Sequence, residues 1–252
     1  MRSRRATVLA GLLVLAALAV AGSATTAAQS SNPVTSRVLI THEGTNDRIA
    51  GVANYRTGRA RLFANYDMSG NSDLGLTPGL TPMEDLEARG VSFMKLGSCA
   101  DRPCWWRIDH SAVPVSANLD QLATEDPFRL AALIKAAAVA QNVEGVRGVP
   151  TTHYAGAIDV EHLLAPLSPE NRASATESFA DLEEKDGGVA GLPASVWLDD
   201  RGLPRRIRIE RLGSANTWEY YDFGVDARVA LPVEADIMTS ADLEAFMTGA
   251  SK

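Results

Sequence analysis

The sequence has little of what many activities require. Its 252 residues hold two cysteines and only 6% aromatics. So few aromatic rings argue against a stacking platform for single-stranded nucleic acid. Basic residues are in the minority, 24 Lys+Arg against 31 Asp+Glu, for a formal charge of −7. A general nucleic-acid binder carries the opposite sign, so no nucleic-acid partner is expected. There is no Gly-x-Ser-x-Gly, no His-Glu-x-x-His and no phosphate-binding glycine loop, so the common catalytic motifs are missing. What is present, 46% apolar and 22% charged residues, is an ordinary globular composition. It excludes wholesale disorder, a collagen and a multi-span membrane protein, and the length suffices for one sizeable core or two small ones.

Residues 1–28 read as an address. Arg2, Arg4 and Arg5 precede a continuous run of apolar or small residues from Ala6 to Ala21, and Gly22 to Ala28 are small. This is the layout of a secretory signal peptide, with cleavage expected after Ala24 or Ala28. The alternative is an uncleaved anchor, for which the run is short. The segment has no cysteine to take a diacylglyceryl group, so lipid anchoring through a lipobox is not expected. Cys99 and Cys104 read as a disulfide outside the cytoplasm. A redox pair, normally separated by two residues, and a metal site, which needs further ligands, are the alternatives.

Strands are expected at 37–42, 49–55, 59–66, 91–96 and 105–109, with Gly58 turning the second into the third. A loop rich in Gly, Ser, Asn and Pro covers 67–82, and a short helix is expected from Met83 to Arg89. Asp126-Pro127 opens the best helix, which fades near Gln141, because Asp caps well and Pro suits the first turn. Val146 to Val160 reads as one extended stretch, and a second helix from Ser168 to about Lys185. Strands at 194–198 and 203–210 meet across Asp199–Gly202, another covers 217–223, and a terminal helix covers 240–247. Many antiparallel strands with inserted helices make the chain α+β, and no composition break divides residues 29–252.

His153 and Asp159 share a strand face by their even separation, with His162 following; a metal or acid-base pair is one reading and a solvated strand face the other. Asp199-Asp200-Arg201-Gly202 suits a turn with Gly202 left-handed better than a calcium loop. Arg205, Arg206, Arg208 and Arg211 form a basic strip that either meets an anionic head group or pairs with nearby acids. Trp105 and Trp106 point to opposite faces. No enzyme activity, cofactor or metal is expected.

Val146–Tyr154 (Val-Arg-Gly-Val-Pro-Thr-Thr-His-Tyr), Val196–Arg206 (Val-Trp-Leu-Asp-Asp-Arg-Gly-Leu-Pro-Arg-Arg) and Tyr221-Asp222-Phe223-Gly224 resemble actinobacterial envelope proteins of the LppX/LprG type, relatives of the LolA and LolB lipoprotein carriers. The resemblance covers about residues 37–247 and is weak before residue 90. It implies a curved antiparallel half-barrel whose helices cross the concave face above an apolar cavity. It further implies an extracytoplasmic binding or carrier protein for a lipid or acylated ligand. On this reading Phe128, Leu130, Leu133 and Ile134 form one cavity wall, and Phe93, Trp105, Tyr154, Ile158, Val196 and Leu198 the other. Each of these residues also reads as plain core. The alternative role is an envelope sensory or scaffold domain that binds a protein partner, and a hydrolase using His153 and Asp159 is the third.

Overall fold

The computed structural model describes residues 33–67, 80–88, 90–96, 103–109, 119–159, 161, 172, 173, 176, 191–211 and 214–248. Six strands come first: β1 (Thr35–His42), β2 (Arg48–Asn54), β3 (Arg59–Asp67), β4 (Leu80–Ala88), β5 (Val91–Lys95) and β6 (Trp105–Asp109). Helices α1 (Leu119–Glu125) and α2 (Pro127–Ala137) follow. Then come β7 (Ala138–Val146), β8 (Val149–Ile158), β9 (Leu192–Leu198), β10 (Pro204–Arg211), β11 (Ser214–Tyr221) and α3 (Ser240–Met247). All eleven strands join one open antiparallel sheet in the order β6-β5-β4-β3-β2-β1-β11-β10-β9-β8-β7. The chain meanders outward from β1 to one edge, crosses by α1 and α2 to the other edge, and meanders back until β11 pairs with β1.

Alternation in the sequence decides which side of each strand is buried. Val38 and Ile40 of β1 face the same way as Tyr220 and Trp218 of β11, their register partners. Ile207 and Ile209 of β10 are fully buried there, while Arg206 and Arg208, which alternate with them, point to the other face. A period of two leaves no other arrangement once one face is covered. The turns follow local chemistry. Gly58 takes φ 62°, and Arg147-Gly148 take φ 50° and 76°, the paired positive values of a two-residue hairpin turn. Two further glycines are required by space. A Cβ on Gly51 would stand 2.0 Å from the carbonyl oxygen of Arg61, and one on Gly156 would stand 2.6 Å from that of Ala137.

Three expectations need correcting. Met83 to Ala88 is not helical but part of strand β4, paired with β3 on one side and β5 on the other. Its Met, Glu, Leu and Ala residues favour helix intrinsically, and two neighbouring strands outweigh that small preference. Helix α2 stops at Ala137 instead of Gln141, because Ala138 to Val146 pairs with β8 as an edge strand. The extended stretch at 146–160 is therefore a hairpin turn followed by β8. Of the expected helix at 168–185, Arg172, Ala173 and Thr176 are described and are helical; the rest of it, and most of the loop at 67–82, lie outside the described residues.

The sheet carries a cluster on each face. The larger lies under α1 and α2 and includes Val38, Leu62, Leu130, Ile134, Val196 and Trp218. Full burial of one such aliphatic side chain contributes about 1.5–3 kcal/mol. The smaller cluster holds Leu86, Phe93, Cys104, Trp105 and Val229 on the opposite face of β4–β6, where Leu231 and Ile237 from the segment after β11 cover it. Backbone bonds fasten that cover, from the Cys104 N–H to the Asp236 carbonyl (3.0 Å) and from the Met238 N–H to the Trp105 carbonyl (2.8 Å). Among the described residues no helix is long and apolar enough to cross a membrane.

Candidate functional site

The helix-bearing face of the sheet is the candidate site. Asp126 starts α2 by accepting the Arg129 N–H at Oδ1 (3.1 Å), with Pro127 in the first turn. That cap sets the rotation of α2, so Leu130 and Ile134, four residues apart, point at the sheet and are fully buried. α2 lies on β8, β9 and β10, and α1 on β2 and β3. Two side chains of β11 hold α1: the Tyr220 hydroxyl donates to the Ala123 carbonyl (2.7 Å), and the Asn216 amide donates to Asp120 (3.3 Å).

Eight of the ten sequence-derived lining residues meet here. Leu130, Ile134, Ile158, Val196 and Leu198 are buried members of the larger cluster, with Leu133 and Tyr154 packed partly against it. Phe128 sits beside them, edge-on to Tyr55 at 5.3 Å and 6.4 Å from Phe223. Phe93 and Trp105 do not join them. Their strand register turns them to the opposite face, into the smaller cluster. Between α2 and the end of β8 a cavity of about 220 Å³ remains, lined by Leu133, Ala136, Ala137, Ile158 and Asp159. The alanines leave this gap because they carry no side chain long enough to fill it.

Beyond α1 the same face turns acidic. Asp85 and Glu87 of β4 face inward, since their register partners on β3, Leu62 and Ala60, belong to the larger cluster. Asp85 is 9% exposed, and its Oδ1 has no hydrogen-bond partner. Burial, reinforced by Glu84, pushes the Asp85 carboxyl up to about 6. Burial, with the charges of Asp85 and Glu125, pushes Glu87 up to about 8. Glu125 ends α1 and is itself buried. Sequence reading missed these acids because the helix expected at 83–89 hid their period of two. The alternation of Asp85 and Glu87 with Leu86 was the available signal.

The remaining candidates resolve into structural roles. Asp199 Oδ1 accepts the Arg201 and Leu203 N–H groups at 3.0 and 2.9 Å, and Gly202 takes φ 77°, so Asp199–Gly202 is a hairpin turn. Three members of the basic strip are paired, Arg205 with Asp199, Arg206 with Glu219, and Arg208 with Glu43 and Glu210, and the Arg211 side chain lies outside the described residues. His153 stacks flat on Trp197 (4.2 Å between centroids), with Nδ1 3.2 Å from Asn142 Oδ1 and 3.4 Å from Glu144 Oε1. Asp159 instead accepts the Glu161 N–H (2.9 Å), and His162 lies outside the described residues. Trp105 is buried and Trp106 half-buried on the other face. Among the described residues no group of three or more His, Cys, Asp or Glu side chains is placed to hold a metal ion.

No family model matches the chain. A 99-residue part of it is 33% identical to an uncharacterised 31.2 kDa protein of Streptomyces griseus, encoded in the rplA-rplJ intergenic region. That match takes in 37% of this chain and about a third of the other protein's length (31%). Among solved structures, the chain is similar to the Mycobacterium tuberculosis lipoprotein LppX, at 13% identity and a TM-score of 0.47, over 79% of this chain and 90% of that one. It is also similar to LprF from Mycobacterium bovis, at 16% identity and a TM-score of 0.46, over 81% and 90%.

Proposed function

We propose that this chain is an extracytoplasmic binding or carrier protein that holds the acyl part of a lipid or lipidated molecule between α2 and the sheet. On this reading the sheet curves as a LolA-like half-barrel, with α1 and α2 across its concave face. The observation that carries the reading is the cavity walled by Leu133, Ala136, Ala137 and Ile158 beside a continuous apolar layer. Ligand pockets are concave and largely apolar, and typically span about 300–1,000 Å³. The cavity, at about 220 Å³, takes the end of one chain. A whole acyl chain requires α2 to move off β8–β10, and each methylene then buried contributes about 0.8 kcal/mol. The lining set proposed is Phe128, Leu130, Leu133, Ile134, Tyr154, Ile158, Val196 and Leu198, and no covalent step is involved.

The location follows the same reading. Residues 1–28 act as a secretory signal, residues 29–252 work as one unit, and Cys99 pairs with Cys104, which is buried in the smaller cluster. Thiol alkylation of the unfolded, unreduced protein tests the pairing; labelling of either cysteine contradicts it.

Native mass spectrometry of the exported protein from its own host, followed by lipid extraction, tests the function. A stoichiometric adduct releasing an acylated molecule is expected. A clean unliganded mass that added envelope lipids leave unchanged overturns the carrier reading. That result favours the second reading, a domain that docks a protein partner, for which the edge strand β7 offers the exposed Val139 and Val143 (69% and 73%).

A further inference from the structure

We propose that the chain carries a second binding site, on the sheet face opposite α1 and α2, where Arg59 receives the carboxylate of a small apolar acid. The site stands independently of the carrier reading. Thr35, Asn54 and Arg59 are register partners across β1, β2 and β3, so they form one row. Ala53 and Ala60, beside Asn54 and Arg59 in the chain, belong to the cluster under the helices, so the row faces the other way. The chain after β11 crosses this row as a strap. Thr35 Oγ1 donates to the Val225 carbonyl (2.7 Å), Asn54 Nδ2 to the Ala227 carbonyl (3.3 Å) and Arg59 Nη1 to the Val229 carbonyl (3.3 Å). Row and strap together line a pocket of about 440 Å³. Pockets that hold small molecules typically span about 300–1,000 Å³.

Arg59 is the group in this lining that is left with binding capacity. Among the described residues Arg59, Arg205, Arg206 and Arg208 are the half-buried arginines. Arg205, Arg206 and Arg208 each hold a carboxylate, and Arg59 forms no ion pair with a described acid. A guanidinium has five N–H donors in a planar fork, and the Val229 carbonyl takes a bond from Nη1 alone. Nε and Nη2 are therefore free to donate side by side, the arrangement that a carboxylate accepts with both oxygens. Partial burial strengthens such a pair, because less water screens it. Asp226 and Arg228 of the same lining are mostly exposed and offset one another at 3.4 Å. The pocket thus presents the single uncompensated charge of Arg59, which suits a monoanion better than a doubly charged phosphate. Val225, Ala227, Val229 and Ala230 supply the apolar part of the lining, so the body of the acid is apolar.

The test uses the full exported chain and a butyrate with a terminal trifluoromethyl group, followed by fluorine NMR. The matching amide is the neutral control, and inorganic phosphate is the competitor. The acid is expected to bind at least tenfold more tightly than the amide, and phosphate at equal concentration to leave it bound. Arg59→Gln removes the preference for the acid. Ala230→Trp, at an exposed position of the lining, obstructs the pocket and lowers acid affinity at least tenfold, whereas Leu133→Trp beside α2 leaves it unchanged. Equal affinity for acid and amide, binding of neither, or full acid binding by a folded Arg59→Gln variant overturns the site. Displacement by phosphate overturns the choice of a carboxylate. If Arg59→Gln fails to fold, as judged by near-ultraviolet circular dichroism, the acid-to-amide ratio of the unmodified protein and of Ala230→Trp decides. Dodecanol, read by displacement of an environment-sensitive fluorophore, reports the cavity beside α2 separately. Its failure to bind defeats the carrier reading and leaves the Arg59 site standing.

Discussion

The carboxylate of Asp199 holds the guanidinium of Arg205, with Oδ2 2.9 Å from Nε and 2.8 Å from Nη2. Asp199 is buried and Arg205 half-buried, and the other carboxylate oxygen closes the turn between β9 and β10 by accepting two backbone N–H groups. Replacing Asp199 with Ala strands a half-buried positive charge and two backbone donors together. The expected loss is about 3–5 kcal/mol, read as a lower urea midpoint. The pair Arg228–Asp226, with both side chains mostly exposed, serves as the control. Solvent screens such a pair, and its removal is expected to leave the midpoint unmoved.

Space at the sheet surface predicts a contrast among glycines. Gly51→Ala drives a methyl group into the backbone of β3, 2.0 Å from the Arg61 oxygen, where nothing flexible gives way. Destabilisation of at least about 1–3 kcal/mol is expected, by the general cost of overpacking. Gly145→Ala meets nothing within 4 Å. It is expected to be neutral or stabilising by about 0.4–1 kcal/mol, through a less flexible unfolded chain. Thermal melts of the two variants side by side check both.

The cavity beside α2 predicts a separation of binding from stability. Leu133 is only partly buried and borders the cavity, so Leu133→Trp fills the gap from its edge. Dodecanol affinity is expected to fall at least tenfold while the melting temperature changes little. Ile134→Ala acts the other way. It removes a fully buried side chain and costs about 2–5 kcal/mol, because the packed layer around it closes only in part. A Leu133→Trp variant that binds as the parent does places the acyl chain elsewhere.

The acids on β4 predict an unusual pH dependence for the unliganded protein. Asp85 is raised to about 6 and Glu87 to about 8, so the folded chain holds protons that the unfolded chain has already released. Their contribution to stability is full below about pH 4 and is lost as the pH rises towards 8. The groups facing them, Leu62, Ala60, Met94 and Ser92 on the sheet, do not titrate, and Glu125 of α1 acts in the same direction. The melting temperature is expected to fall between pH 5 and pH 8.5, and Glu87→Gln to flatten that slope. A melting temperature that rises over this range contradicts the assignment.

Legibility in the sequence tracked how local each decision was. Gly58, Gly202 and the Asp126-Pro127 start act through their own backbone neighbours, so their roles were readable before any fold was known. The alternation of Ile207 and Ile209 with Arg206 and Arg208 was readable for the same reason. The terminal helix was readable too, and the Thr239–Asp242 capping box confirms its start. Strand β4 was not readable, because Met83 to Ala88 prefers helix and becomes a strand only between β3 and β5. The end of α2 was missed likewise, since Ala138 to Ala140 suits a helix until β8 supplies hydrogen bonds.

By itself the sequence determined the class of the fold, the alternation of its strands and several turns, because these depend on spacings of two to four residues. Only the tertiary structure decided which face each strand presents to which cluster. It moved Phe93 and Trp105 away from the helices and brought Asp85, Glu87 and Glu125 into one acidic patch. The reason is register: shifting a pairing by one residue exchanges the faces of a whole strand, and pairing is a property of two strands rather than of either one.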